Sequence, residues 1–351
     1  MSRAFLLAIL FAGLSLLFLP ALKAEDGEWK ITKTRFVELG KSEILSPVLK
    51  PGTFSGDKID LPGGGFKVKL DNQKVLVDVK GKGTPDYTAA QGTASKPFVV
   101  DIVYADGTTQ KYGIKVLKNG NSWAWIRNSV LEATIDRTKL WIADENCNGI
   151  YGEVGADAIY FDKKDRGCPF SPVVFAGGSC YEISVVESGA ELKYKPYTGK
   201  LGKVDIFKDW NGKKDPETVL VQGNTEAGEI FLDIAAKGAI DIPLGSYTMV
   251  RAYLPGVEII KGQSTTFEVG GSEPATMKWG LKLKVVASVS VSQVKGKETF
   301  TLNPVPAVEG VSGERYVGAY MEDARFKFNV SQATANGKPI GRPTTWSVCF
   351  S

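Results

Sequence analysis

Apolar and polar residues alternate through almost the whole chain, in runs of five to eight positions that break at Gly, Asn, Asp or Pro. A period of two sends successive side chains to opposite faces of an extended strand, and the breaks are turn formers, so the pattern calls for hairpins. The clearest run is PFVVDIVYADGTTQKYGIKVL. Val100, Ile102 and Tyr104 share one face, Asp106-Gly107 supplies the turn, and Tyr112, Ile114 and Val116 return. GFKVKL with KVLVDVK, CYEISVV with AELKYKPY, and LKLKVVASVSVSQV follow the same scheme. The glycines and prolines stand at turns along the chain and not in a tail. The expected fold class is all-β.

The first 24 residues are of another kind. Arg3 precedes a run from Ala4 to Leu22 that is apolar except for Ser15, and the small Ala24 stands before Glu25 and Asp26. That order predicts a secretory signal peptide over 1–24 and an exported protein, whether periplasmic, extracellular or cell-surface. The run is also long enough to span a bilayer, so an uncleaved anchor stays open as the one route to a membrane. Cleavage would remove Arg3 and Lys23 and no acid, lowering the formal charge from +4 to +2, with 41 bases against 39 acids. With near balance and no basic run to track a phosphate backbone, no nucleic-acid partner is expected. The 327 residues that remain suit two or three domains. Turn-rich breaks divide them into 25–118, 119–190, 191–271 and 272–351, the last being either a small domain or the closing strands of the third.

Histidine is absent. That excludes the commonest general base, the Ser-His-Asp and Cys-His arrangements, and zinc sites built on imidazole. Four cysteines, Cys147, Cys168, Cys180 and Cys349, contain no C-x-x-C. In an oxidising compartment they allow three disulfide pairings. Cys168–Cys180 closes the shortest loop and is the favoured pair, with free buried thiols as the alternative.

One stretch looks built for chemistry: DENCNGIYGE, from Asp144 to Glu153. A calcium ion takes six to eight oxygens, and a tight loop supplies several when every second residue points inward. Asp144, Asn146 and Asn148 stand at positions one, three and five, and Gly149 at six permits the turn. The Ile150 carbonyl falls at seven, Glu153 at ten, and Asp157 is within reach at fourteen. The competing reading is a polar turn: Asp and Asn bond their own backbone, and Asn-Gly is a favoured hairpin turn.

The loop resembles the D-x-[DN]-x-[DN]-G calcium loops of dockerin-like and excalibur-like extracellular proteins. The match covers about ten residues and departs from the EF-hand at position twelve, where Gly155 stands. The resemblance implies Asp144, Asn146, Asn148, Ile150 (backbone) and Glu153 as ligands of a structural Ca2+, with affinity on the order of 10⁻⁴–10⁻³ M. A second stretch, IDIPLGSYTMVRAYLPGVEIIKGQSTTFEVGG, resembles the closing strands of transthyretin-like or carboxypeptidase-regulatory-like β-sandwich modules, through Pro243, Gly245, Tyr247, Gly262 and Gly270. That resemblance implies Ig-like sandwich domains and structural residues, with no catalytic group. The layout as a whole is similar to that of secreted bacterial β proteins.

Seven tryptophans raise the possibility of sugar contact. Trp123 and Trp125 lie two apart and share a strand face, while Trp210, in KDWNGKKD, is expected to be exposed. An aromatic pair on one face is also the ordinary composition of a core. The resulting expectation is a non-enzymatic exported β protein with an interaction or scaffolding role at the cell envelope, its partner a protein or a cell-surface polysaccharide. The alternatives are a carbohydrate-binding protein using Trp123, Trp125 or Trp210, and a histidine-free hydrolase working through carboxylates.

Overall fold

The structure is a computed structural model. It describes residues 27–349 except 40–48, 71–72, 91–95, 120–121, 162–165, 213, 281, 287–288, 295–296, 303–306, 318–324 and 334–338. The expected signal peptide and the side chain of Cys349 lie outside the described residues. Among those residues the chain is strand after strand joined by turns and loops, and the one helical segment is a three-residue 3-10 turn at Pro62–Gly64. The all-β expectation holds.

The hairpins follow the alternation. Phe98–Val103 pairs with Thr109–Asn119, with Val103 opposite Thr109. Val100, Ile102, Tyr104, Tyr112, Ile114 and Val116 are all buried. The turn forms as its residues require: Gly107 takes a φ of 83°, and Asp106 Oδ1 accepts the Thr108 N–H at 2.8 Å. Phe66–Leu70 pairs with Lys74–Asp78, and Ser179–Val185 with Glu191–Pro196. The run LKLKVVASVSVSQV divides between two partners: Lys284–Val286 pairs with Ala307–Glu309, and Val289–Val294 with Lys297–Leu302.

Long-range pairings assemble these hairpins into sheets. Lys30–Lys33 pairs with Glu191–Pro196, and Arg35–Glu38 with Ser129–Ile135, so the N-terminal strands close onto the middle of the chain. One hydrophobic core runs from Ile59 to Leu192 and takes side chains from four sheets. A second core runs through Val204, Val219, Val221, Ile242, Met249 and Trp279, with Val173 and Cys180 contributed from upstream. Strand Thr109–Asn119 pairs with Ser122–Arg127 across the break expected near 118.

Trp125 anchors the first core at 1% exposure. It exchanges main-chain hydrogen bonds with Gly52 at 2.8 and 3.0 Å. A Cβ on Gly52 would lie 2.3 Å from the indole ring, so only glycine permits this approach. In the second core Tyr247 stacks on Phe267 at 5.6 Å and donates to the Pro243 carbonyl at 2.7 Å. The Pro-x-Gly-x-Tyr stretch therefore serves packing.

The favoured disulfide is corrected. Cys147, Cys168 and Cys180 are buried thiols, and no bond joins Cys168 to Cys180. Proximity in sequence does not become proximity in space, because the two cysteines face different clusters. Cys168 sits opposite Ile159 and packs with Leu220 and Tyr253. Cys180 sits opposite Phe175 in the second core, its Sγ 3.5 Å from the Asp241 carbonyl.

Candidate metal loop

Strands Thr138–Ala143 and Ala158–Phe161 pair antiparallel and close at Ala143 opposite Ala158, so residues 144–157 form the connection of one hairpin. The loop is not a surface turn. Asp144, Glu145 and Asp157 are at most 1% exposed, and Cys147 and Tyr151 are buried in the first core. Its backbone bends at Cys147, Gly149, Gly152 and Gly155, all with positive φ. A Cβ on Gly149 would lie 2.7 Å from Pro62 and 2.9 Å from Leu61, so the glycine at position six also admits the 3-10 turn beneath.

The candidate ligands converge, and hydrogen bonds fill much of their capacity. Asp144 Oδ1 accepts from Asn148 N–H at 3.2 Å, and Oδ2 from Gly149 N–H at 2.6 Å and the Tyr112 hydroxyl at 2.8 Å. Asp157 accepts from the N–H of Glu145 at 3.2 Å and of Glu153 at 3.0 Å. The amides of Asn146 and Asn148 both donate to Glu153 Oε2, at 2.8 and 2.7 Å. Their own oxygens accept the main-chain N–H two residues on, for Ile150 at 2.8 Å. This is a chain of Asx turns, as the polar-turn reading requires. Among the described residues no group of three or more His, Cys, Asp and Glu side chains is gathered as a ready metal site. A carboxylate has about four lone-pair sites, however, and none of the three is filled by these bonds.

Behind the loop lie Arg127, Asn128 and Tyr160, which the sequence reading did not single out. Arg127 Nη2 meets Glu145 Oε1 at 2.6 Å, with the two side chains 2% and 0% exposed, and the Tyr160 hydroxyl donates to the same oxygen. Burial works most strongly against the Arg127 charge, but Glu145, Tyr160 and Cys147 together outweigh it and hold the guanidinium ionised. Tyr104 donates to the Gly149 carbonyl. Glu145 Oε2, the Tyr151 hydroxyl and Asn128 Nδ2 are buried without a hydrogen-bond partner among the described residues. One signal was available: alternation through Trp123 and Trp125 puts Arg127 on the same inward face.

The electrostatics are out of balance. Four carboxylates, Asp144, Glu145, Glu153 and Asp157, fall within this loop, and the buried Arg127 is already bonded to one of them. Burial pushes the Asp144 carboxyl up to about 6. Burial, with Asp144 next in weight, pushes Asp157 to about 8. An unfolded Asp titrates near 3.9, so between about pH 4 and 8 the folded chain holds protons that the unfolded chain has lost. Stability therefore falls as pH rises through that window, by on the order of 1.4 kcal/mol per pH unit for each proton held. Urea unfolding in chelator at several pH values from 5 to 8 measures this. A flat profile would show that the two carboxyls are not strained.

The tryptophans divide. Trp125 is in the core and presents no face to a sugar. Trp123 is half-buried, with Lys118 Nζ 5.1 Å from its ring. Trp210, expected to be exposed, is half-buried, with its ring centroid 4.3 Å from that of Trp279 and its N–H on the Lys214 carbonyl at 3.1 Å. The three do not form a platform.

No family model matches the chain, and neither a curated protein nor a solved structure is found to be similar to it.

Proposed function

We propose that this is an exported, non-enzymatic β protein with an interaction or scaffolding role at the cell envelope, in which residues 144–157 take up calcium as a structural ion. The observation that carries the metal reading is the charge excess: Asp144, Glu153 and Asp157 crowd one largely buried loop, while Arg127 is committed to Glu145. A divalent cation held by Asp144, Asn146, Asn148, the Ile150 carbonyl, Glu153 and Asp157 relieves the strain that otherwise keeps protons on the carboxyls. Calcium suits the donors, which are all oxygen and mostly neutral or singly charged. The non-enzymatic reading is supported by the absence of histidine. Strands Gly245–Leu254 and Thr266–Val269, packed through Tyr247 and Phe267, support reading the second core as a transthyretin-like sandwich module.

The test is thermal unfolding of the purified chain in chelator and then in millimolar calcium, with Glu153→Gln beside it. Glu153 is half-buried, whereas Asp144 and Asp157 are fully buried, so the isosteric Gln removes a charge without opening the core. At ten times Kd a single site stabilises by about 1.4 kcal/mol. A calcium-dependent rise that Glu153→Gln abolishes supports the reading. The same midpoint in chelator and calcium leaves a polar turn.

A further inference from the structure

A groove of about 450 Å3 is lined by Trp29, Pro172, Glu182, Tyr197, Thr198 and Glu226. Trp29 is 43% exposed, an unusual place for the largest aromatic side chain. It is held in position. The Lys195 ammonium lies 5.2 Å from the Trp29 ring and 3.3 Å from Glu182 Oε2, tying the ring to the carboxylate. Tyr197 and Glu226 are braced as well. The Tyr197 hydroxyl is hydrogen-bonded to Glu226, and the Lys200 N–H donates to Glu226 Oε1 at 3.0 Å. A Cβ on Gly199 would come within 2.2 Å of the Tyr197 hydroxyl oxygen and 2.7 Å of Glu226 Oε1, so glycine is what lets those two groups meet.

The chemistry of the groove selects its ligand. An anion would face Glu182 and Glu226. A cation would find the place between Trp29 and Glu182 already taken by Lys195. A neutral ring with an apolar C–H face and several hydroxyls satisfies every wall: the indole takes the face, and the carboxylates and the Thr198 and Tyr197 hydroxyls take the polar edge. We propose that this groove, with Trp29 as its platform and Glu182 and Glu226 as its hydrogen-bonding walls, binds a neutral saccharide. The proposal goes beyond the calcium-stabilised scaffold and does not rest on it.

The test is a ¹H–¹⁵N titration of the purified chain in chelator with cellohexaose, chitohexaose and maltohexaose, and with hexalysine as the cationic control. The expected result is a saturable shift of the Trp29 indole N–H with at least one of the hexasaccharides and none with hexalysine. Trp29→Ala should weaken binding by at least about tenfold while leaving the rest of the spectrum in place, and Glu226→Gln should weaken it less. No shift at Trp29 up to about 10 mM of each sugar, binding unchanged in Trp29→Ala, or a response to hexalysine in place of sugar would overturn the proposal. Because calcium is absent throughout, failure here and failure of the metal loop are read separately.

Discussion

Arg127→Met should destabilise the protein by about 3–5 kcal/mol, the cost of leaving a buried carboxylate without its partner. Glu145 is 0% exposed and meets Arg127 at 2.6 Å. With the guanidinium gone, one oxygen keeps only the Tyr160 hydroxyl, and Oε2 already has no partner among the described residues. The double variant Arg127→Met/Glu145→Leu should recover most of the loss, because an apolar pair of similar volume avoids burying an uncompensated charge. Urea unfolding of the three chains at pH 7 measures both effects. A loss below about 1 kcal/mol for the single variant would mean that water reaches Glu145 in the folded state.

Trp125→Ala should cost a similar amount, about 3–5 kcal/mol, because the whole indole is lost from a packed interior. Trp125 lies against Gly52 and edge-on to Tyr112 at 6.4 Å, and Tyr112 in turn holds Asp144. The substitution therefore loosens the loop as well as the core. Trp123, on the same strand face but half-buried beside Lys118, should cost distinctly less when truncated. Comparing the two urea midpoints decides this, and equal losses would contradict the placement of Trp125.

The hairpins were legible because each rests on local rules. The Asp106-Gly107 turn needs a positive φ and an Asx bond, and Val100, Ile102, Tyr112 and Ile114 need only the period of two. What joins hairpins was not legible. Nothing in KITK announces a partner at Glu191–Pro196, since any alternating strand offers the same backbone groups. The disulfide expectation failed for the same reason: Cys168 and Cys180 are close in sequence, but their strands turn them into separate clusters.

The loop was half legible. The spacing of Asp144, Asn146, Asn148 and Gly149 correctly marks a tight Asx-rich turn. Its depth was hidden, because burial depends on Leu61, Pro62 and Tyr112 arriving from other parts of the fold. Polar residues are usually assigned to the surface, and that habit conceals a buried Asp144. Trp210 shows the converse: a polar neighbourhood suggests exposure, yet Trp279, 69 residues downstream, meets it.

The most direct test of the cation reading is terbium luminescence, with the lanthanide standing in for calcium. Tyr112 touches Asp144 and Tyr104 touches the Gly149 carbonyl, so an ion held by the loop lies within range of tyrosine excitation. Excitation of the wild-type chain should produce saturable terbium emission that calcium displaces, with an apparent constant on the order of 10⁻⁴–10⁻³ M. Glu153→Gln should lose most of it. Emission that is absent, or that persists unchanged in Glu153→Gln, would contradict the metal loop and leave DENCNGIYGE as a buried, self-bonded turn.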